Sequence, residues 1–199
     1  MPDYFSLLQQ PRRPWLDPEI LKQQFLTLSA AAHPDRFHGR PELECRAANE
    51  RFSQLNAAHA CLREPRDRLR HLLELETGRK PSDLQEIPDV LANLLLEVAA
   101  LCREADGFLA RREAITSPLL RAQNFEQVQQ WMDRLNQPQK RIAALQAACL
   151  ARLRQLDSTW SEAGDRKSLL LELEQICRQL GFFARWEGQL QERVHRLMF

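Results

Sequence analysis

Apolar residues along this chain recur at helical spacing. Ile20, Leu21, Phe25, Leu28 and Ala32 form one stripe, and Ala48, Phe52, Leu55 and Leu62 form a second. Between the stripes lies the short polar turn Ala31-Ala32-His33-Pro34-Asp35-Arg36-Phe37. Pro34 drives His33 out of the α region and fixes its own φ, so the first of the two helices ends there. Two helices of similar length with a short connector pack antiparallel and bury their stripes against each other. The turn is then left exposed at one tip, with an imidazole, a carboxylate and a guanidinium in a row.

The flanking sequence extends the pattern. Residues 3–8 suit a short helix, and residues 9–16, with Pro11 and Pro14, suit a loop. Asp17 is a good N-cap with Pro18 at the first helical position, so the next helix runs from there to Ala32. Pro41 to Arg63 reads as its partner. Glu64-Pro65 breaks that helix and starts a fourth, closed by Thr77-Gly78. Residues 78–88 read as a linker stiffened by Pro81 and Pro88.

From Asp89 three long amphipathic segments follow. The first carries Val90, Leu91, Leu94, Leu95, Val98 and Leu101, continues to Leu109, and breaks at Ser117-Pro118. The second spans about Leu119 to Trp160, with Pro138 expected to kink or divide it. After a turn at residues 161–165, the third spans Arg166 to Met198, weakened locally by Gly181 and Gly188. Three such segments make a three-helix bundle. The expected organisation is all-α: residues 1–77, a linker at 78–88, and a bundle at 89–199.

Composition supports this and removes several function classes. The 199 residues carry 28 basic and 27 acidic side chains, a net charge of +1. So even a balance disfavours a dedicated nucleic-acid or membrane-surface binder. No apolar run approaches the roughly 20 residues of a membrane span, and the start lacks the basic and apolar segments of a signal peptide. Cys45, Cys61, Cys102, Cys149 and Cys177 are widely separated, with no C-x-x-C pair. They read as reduced thiols of a cytoplasmic protein, with no metal site of the usual zinc spacing. There is no glycine-rich phosphate loop, and His33 and His38 lack a third ligand or a nucleophile nearby, so the chain reads as a non-enzyme without a cofactor.

Tyr4-Phe5, Leu16-Asp17, Phe25, His33-Pro34-Asp35-Arg36-Phe37, Leu55-Asn56, Ala58 and Leu62-Arg63 with Pro65 together resemble a J-domain. Among J-domain proteins they are most similar to the HscB co-chaperones of iron–sulfur cluster assembly. The specific match covers roughly the first 75 residues. Beyond it the likeness is one of layout and of the ending, Leu180-Gly181-Phe182-Phe183 and Leu190 to Arg193.

The resemblance implies a function. In a J-domain the His-Pro-Asp tip docks on a DnaK-class ATPase and biases it toward hydrolysis. This assigns a chaperone-binding role to His33, Pro34, Asp35 and Arg36, with Lys22 on the preceding helix. Asp35 would pair with a partner arginine, and Pro34 would hold the tip rigid. In the HscB family an apolar patch on the first bundle helix, aided by an aromatic of the last, binds the iron–sulfur scaffold. The corresponding residues are Val90, Leu91, Leu94, Leu95, Phe182 and Phe183. One departure stands out. A typical J-domain presents several lysines and arginines on its second helix, whereas here Lys22 is alone against Asp17 and Glu19. Compensation by Arg36, Arg40 and the Arg12-Arg13 loop, an unusual ATPase partner, or weak stimulation are the alternatives. The expected function is a co-chaperone of a DnaK/HscA-class ATPase serving an iron–sulfur scaffold or related client. The alternative is a helical interaction adaptor with a degenerate J-domain.

Overall fold

The computed structural model describes residues 2–80, 88–115, 124–160 and 166–198, the side chains of Asp89 and Val90 excepted. Described helices are α1 (Tyr4–Leu7), α2 (Pro18–Ala31), α3 (Glu42–Arg63), α4 (Pro65–Thr77), α5 (Asp89–Glu113), α6 (Phe125–Trp160) and α7 (Lys167–Met198). A 3-10 turn at Pro34–Phe37 separates α2 from α3. The expected breaks at Ser117-Pro118 and at residues 161–165, and most of the expected linker, lie outside the described residues.

The chain forms two compact units. The first comprises Met1–Asp83 with Leu150–Cys177, and the second Leu84–Cys149 with Arg178–Phe199. The assignment of Leu150–Cys177 to the first unit was not anticipated.

In the first unit α3 is the hub, packing against α1, α2, α4 and the 3-10 turn. Capping residues set the ends, Asp17 and Gly78 as the sequence leads one to expect and Asp3 in addition. The Asp3 carboxylate accepts from the N–H groups of Phe5 and Ser6, and Asp17 from those of Glu19 and Ile20. Gly78 closes α4 in the left-handed region, at φ 68°. The α2/α3 register is antiparallel. Phe25 stacks on His59 with ring centroids 4.1 Å apart, while His33, further along, sets its ring edge-on to Phe52 at 5.3 Å. Ile20, expected in the buried stripe, is exposed. At 100° per residue it stands about a quarter-turn off the buried arc through Leu21, Phe25 and Leu28.

Residues of Leu150–Cys177 complete this unit. Leu153, Leu156, Trp160 and Leu173 are buried. Asp157 accepts from Arg13 Nε at 2.8 Å and from the Trp15 N–H at 3.2 Å, and Trp160 Nε1 donates to the Arg12 carbonyl at 2.9 Å. The guanidinium groups of Arg154 and Arg68 lie 4.3 and 5.8 Å from the centre of the Trp15 ring. Arg68 is buried and donates to the carbonyls of Pro14 and Leu62. Burial pushes its pKa down to about 10, against the favourable field of Asp157.

The second unit is a helical bundle. Leu91, Leu94, Val98, Cys102, Ala105 and Leu109 give α5 a buried stripe at steps of three and four. Polar pairs fix the helix directions. Glu97 meets Arg141 and Glu104 meets Arg134, so α5 and α6 run antiparallel. Gln146 meets Glu187 and Cys149 meets Gln179, so α6 and α7 also do. Asp106 meets Arg193, and Glu113 meets Arg196, so α5 and α7 run parallel. Arg112 donates to the carbonyls of Arg196 and Leu197, closing the end of α7. Pro138 neither divides α6 nor ends it; the helix runs for 36 residues. Leu135 and Ile142, one turn to either side, are fully buried and Pro138 is buried with them, so packing on one continuous face offsets the roughly 3 kcal/mol a helical proline costs.

Candidate functional site

The candidate site is the tip between α2 and α3. His33 leaves the helical region, with φ −64° and ψ 129°, as the proline after it requires. It then acts as N-cap of the 3-10 turn, its Nδ1 accepting from the Asp35 N–H at 3.3 Å. Accepting at Nδ1 puts the proton of the neutral ring on Nε2, a donor. The Asp35 carboxylate lies 3.5 Å from the same Nδ1. The Asp35 side chain is 89% exposed and that of His33 46% exposed. The imidazole is therefore held on one side by Phe52 and its own turn, and presented on the other.

Arg36 follows on the same turn. It is exposed, and its Nη1 donates to the Ala30 carbonyl at 3.4 Å. That ties the turn to the last turn of α2, where unpaired carbonyls favour a cation. Cys45 of α3 donates to the Phe37 carbonyl from the other side. The structure thus brings His33, Pro34, Asp35 and Arg36 together as one braced, solvent-facing projection. Lys22 stands apart. It is exposed on α2 eleven residues before His33, about 16 Å along the helix.

The arginines of the preceding loop are committed elsewhere. Arg12 pairs with Asp3 at 2.8 Å and Arg13 with Asp157 at 2.6 Å. Arg36 and Arg40, on the turn and in the loop after it, are both exposed.

The second expected site is corrected in the bundle. Leu91, Leu94, Phe182 and Phe183 are all buried, at 4, 4, 7 and 1% exposure. They fill the interior of the second unit, where Phe182 and Phe183 both meet Trp186. They are core, because three consecutive leucines cannot share one face and the steps of three and four select 91 and 94 for the inside. Leu95 is half-buried and Leu96 is 67% exposed. The Val90 side chain lies outside the described residues. Sequence reasoning did not single out Leu96; it shares its triplet with Leu94 and Leu95, and periodicity alone could have separated it.

All five cysteines are free. Burial pushes the Cys61 and Cys177 thiols up to about 11, so both are protonated near neutrality. Among the described residues no group of three or more His, Cys, Asp or Glu side chains is arranged to hold a metal ion. Among them, too, no helix is long and apolar enough to cross a membrane.

No protein-family model matches the chain. A co-chaperone protein HscB homolog of Azoarcus sp. (strain BH72) is 38% identical over 73 residues, which are 37% of this chain and 41% of the relative. The chain thus matches about two fifths of that relative's length. The chaperone HscB from Vibrio cholerae superposes with a TM-score of 0.64, at 24% identity, over 98% of this chain and 99% of that one. Human co-chaperone protein HscB superposes with a TM-score of 0.65, at 19% identity, over 96% of this chain and 81% of that one. The chain therefore has the all-α fold of the HscB chaperones. Its resemblance to them rests on sequence over 73 residues and on fold over nearly its whole length.

Proposed function

We propose that this chain is an HscB-type co-chaperone that stimulates ATP hydrolysis by a DnaK/HscA-class ATPase and presents to it an iron–sulfur scaffold protein or related client. The reading is carried by the tip. A His-Pro-Asp sequence is braced by Phe52, by its own capping bond and by Arg36, and turned outward with Asp35 almost fully exposed. Such an arrangement does no covalent chemistry itself. It offers a carboxylate for charge-assisted pairing with a partner guanidinium and an imidazole Nε2–H beside it. Because proline and the cap already fix the geometry, little ordering remains to be done on docking.

Client binding by the bundle is the second half of the proposal. With Leu91, Leu94, Phe182 and Phe183 in the core, the surface of α5 left for a client centres on Leu96, with Leu95 beside it. We place the client contact at these two side chains.

Binding to a purified DnaK-class ATPase, measured with the full chain and with Asp35→Asn, tests the reading. Loss of the charged pair lowers affinity about tenfold or more. Equal affinity of the two proteins would favour the adaptor alternative, in which the tip is inert.

A further inference from the structure

The tip is held differently where the chain enters it and where the chain leaves. On the entering side His33 caps the 3-10 turn, and Arg36 reaches back to the Ala30 carbonyl. On the leaving side the chain has to reverse from Phe37 into α3. His38 donates its N–H to the Asp35 carbonyl at 3.4 Å, so the backbone of Asp35 is tied to this exit.

The exit is a type II turn. Its central residues are His38, at φ −57° and ψ 126°, and Gly39, at φ 82°. Glycine meets the positive φ without strain. The Arg40 N–H closes the turn on the Phe37 carbonyl at 3.0 Å. One exposed turn following one 3-10 turn has few bonds of its own to keep it in place.

Both end carbonyls of this turn converge on one side chain of α3. Cys45 Sγ lies 3.1 Å from the Phe37 carbonyl oxygen and 3.5 Å from that of Arg40. The thiol has a single proton to donate, so the two oxygens share it and the nearer one holds it more often. Cys45 is itself fixed in the first turn of α3, where its N–H donates to the Pro41 carbonyl at 3.2 Å, and its side chain is half-buried. It thereby links the exit of the tip to the helix around which the first unit packs. An apolar side chain of the same size would fill the space and hold neither carbonyl.

We infer that Cys45 is a positioning residue: by pinning the Phe37–Arg40 turn to α3 it fixes the direction in which Asp35 meets the ATPase partner. The inference rests on the proposed docking of the tip and adds a residue that acts only through it. A pinned exit leaves less to be ordered on docking, so Cys45 acts on the affinity and not on the rate reached at saturation.

The test reads two quantities from a titration of a purified DnaK/HscA-class ATPase with the full chain: the concentration giving half-maximal stimulation, and the maximal rate. Cys45→Val keeps the volume and removes the donor, and Cys45→Ser keeps a donor; folding of both is checked by circular dichroism. Cys45→Val raises the half-maximal concentration about fivefold and leaves the maximal rate unchanged, as the loss of one hydrogen bond would. Cys45→Ser stays within about twofold of wild type. In the chain alone, amide exchange of His38 and Arg40, followed by NMR, speeds up in Cys45→Val and not in Cys45→Ser. If Cys45→Val misfolds, Cys45→Ala carries the same expectation. Valine and serine variants that behave alike, both as wild type or both impaired, would overturn the inference. A wild-type chain that gives no stimulation ends the reading of the tip and this inference with it. A stimulating wild type matched by Cys45→Val ends the present inference alone.

Discussion

Arg13 and Asp157 stand 144 positions apart in the chain and pair at 2.6 Å in the folded protein. The same carboxylate accepts from the Trp15 N–H, so one side chain of α6 fixes the loop before α2. Asp157 is buried and Arg13 partly exposed, so the pair is only partly screened. Asp157→Ala strands the Trp15 N–H and loosens Arg13, and costs about 2 kcal/mol of stability. Urea unfolding followed by tryptophan fluorescence checks this, since Trp15 and Trp160 both lie at the junction. An unchanged midpoint would show that the loop is held by packing alone.

Acid weakens the first unit through two histidines. His59 lies below its ordinary pKa because of burial, with Arg63 adding to the effect. His71 is lowered by burial and by Arg12, against the opposing fields of Asp3 and Glu74. Its Nε2 accepts from the Tyr4 N–H at 3.0 Å, a bond that protonation breaks. Depressed folded values mean that these groups contribute fully above the unfolded pKa, near 6.5. As pH falls below it the unfolded chain takes up protons first, and stability drops until the folded histidines titrate. The urea midpoint therefore declines as pH falls below about 6.5. His59→Phe, which can keep the stack on Phe25, flattens part of that slope. A midpoint that rises over this range would contradict the assignment.

Burial at the bundle centre separates core from surface. Phe183 is 1% exposed, and Phe183→Ala costs about 3–5 kcal/mol. Leu96 is 67% exposed, and Leu96→Asp changes stability by no more than about 0.5 kcal/mol. Urea unfolding of both variants measures the contrast. Similar costs at the two positions would mean that the bundle packs differently.

Much of this architecture was legible in the sequence, for a local reason. Asp17 with Pro18, Pro34, Glu64-Pro65 and Gly78 act through bonds within a few residues, so each fixed a helix end to within a residue or two. The tip was legible because proline and the cap at His33 are also local. The interior of the bundle was legible only in part: steps of three and four separate buried Leu94 from exposed Leu96, whereas Phe182 and Phe183, adjacent in the chain, are both buried. Pro138 does not divide α6, because its local cost is offset by Leu135 and Ile142 on the same face. The Arg13–Asp157 pair was invisible, since nothing local links residues so far apart. It also removed Arg13 from the basic residues counted toward the tip.

Thiol chemistry offers an independent check. Cys177 is buried, donates to the Arg66 carbonyl, and is pushed up to about 11 by burial. Alkylation by iodoacetamide at pH 8 is therefore slower at Cys177 in the folded protein than in urea by about a hundredfold or more. Equal rates, read by peptide mass spectrometry, would show that Cys177 is not packed against α4 at Arg66.

The central claim is that the braced His33-Pro34-Asp35 tip acts on a second protein's ATPase. The most direct measurement is the single-turnover ATP hydrolysis rate of a DnaK/HscA-class partner with no addition, with the wild-type chain, and with His33→Gln. His33 is half-exposed, so its replacement leaves the fold intact. The account predicts that the wild-type chain raises the rate several-fold or more, and that His33→Gln returns it to within about twofold of the unstimulated value. Equal stimulation by the two proteins, with both folded, would contradict it.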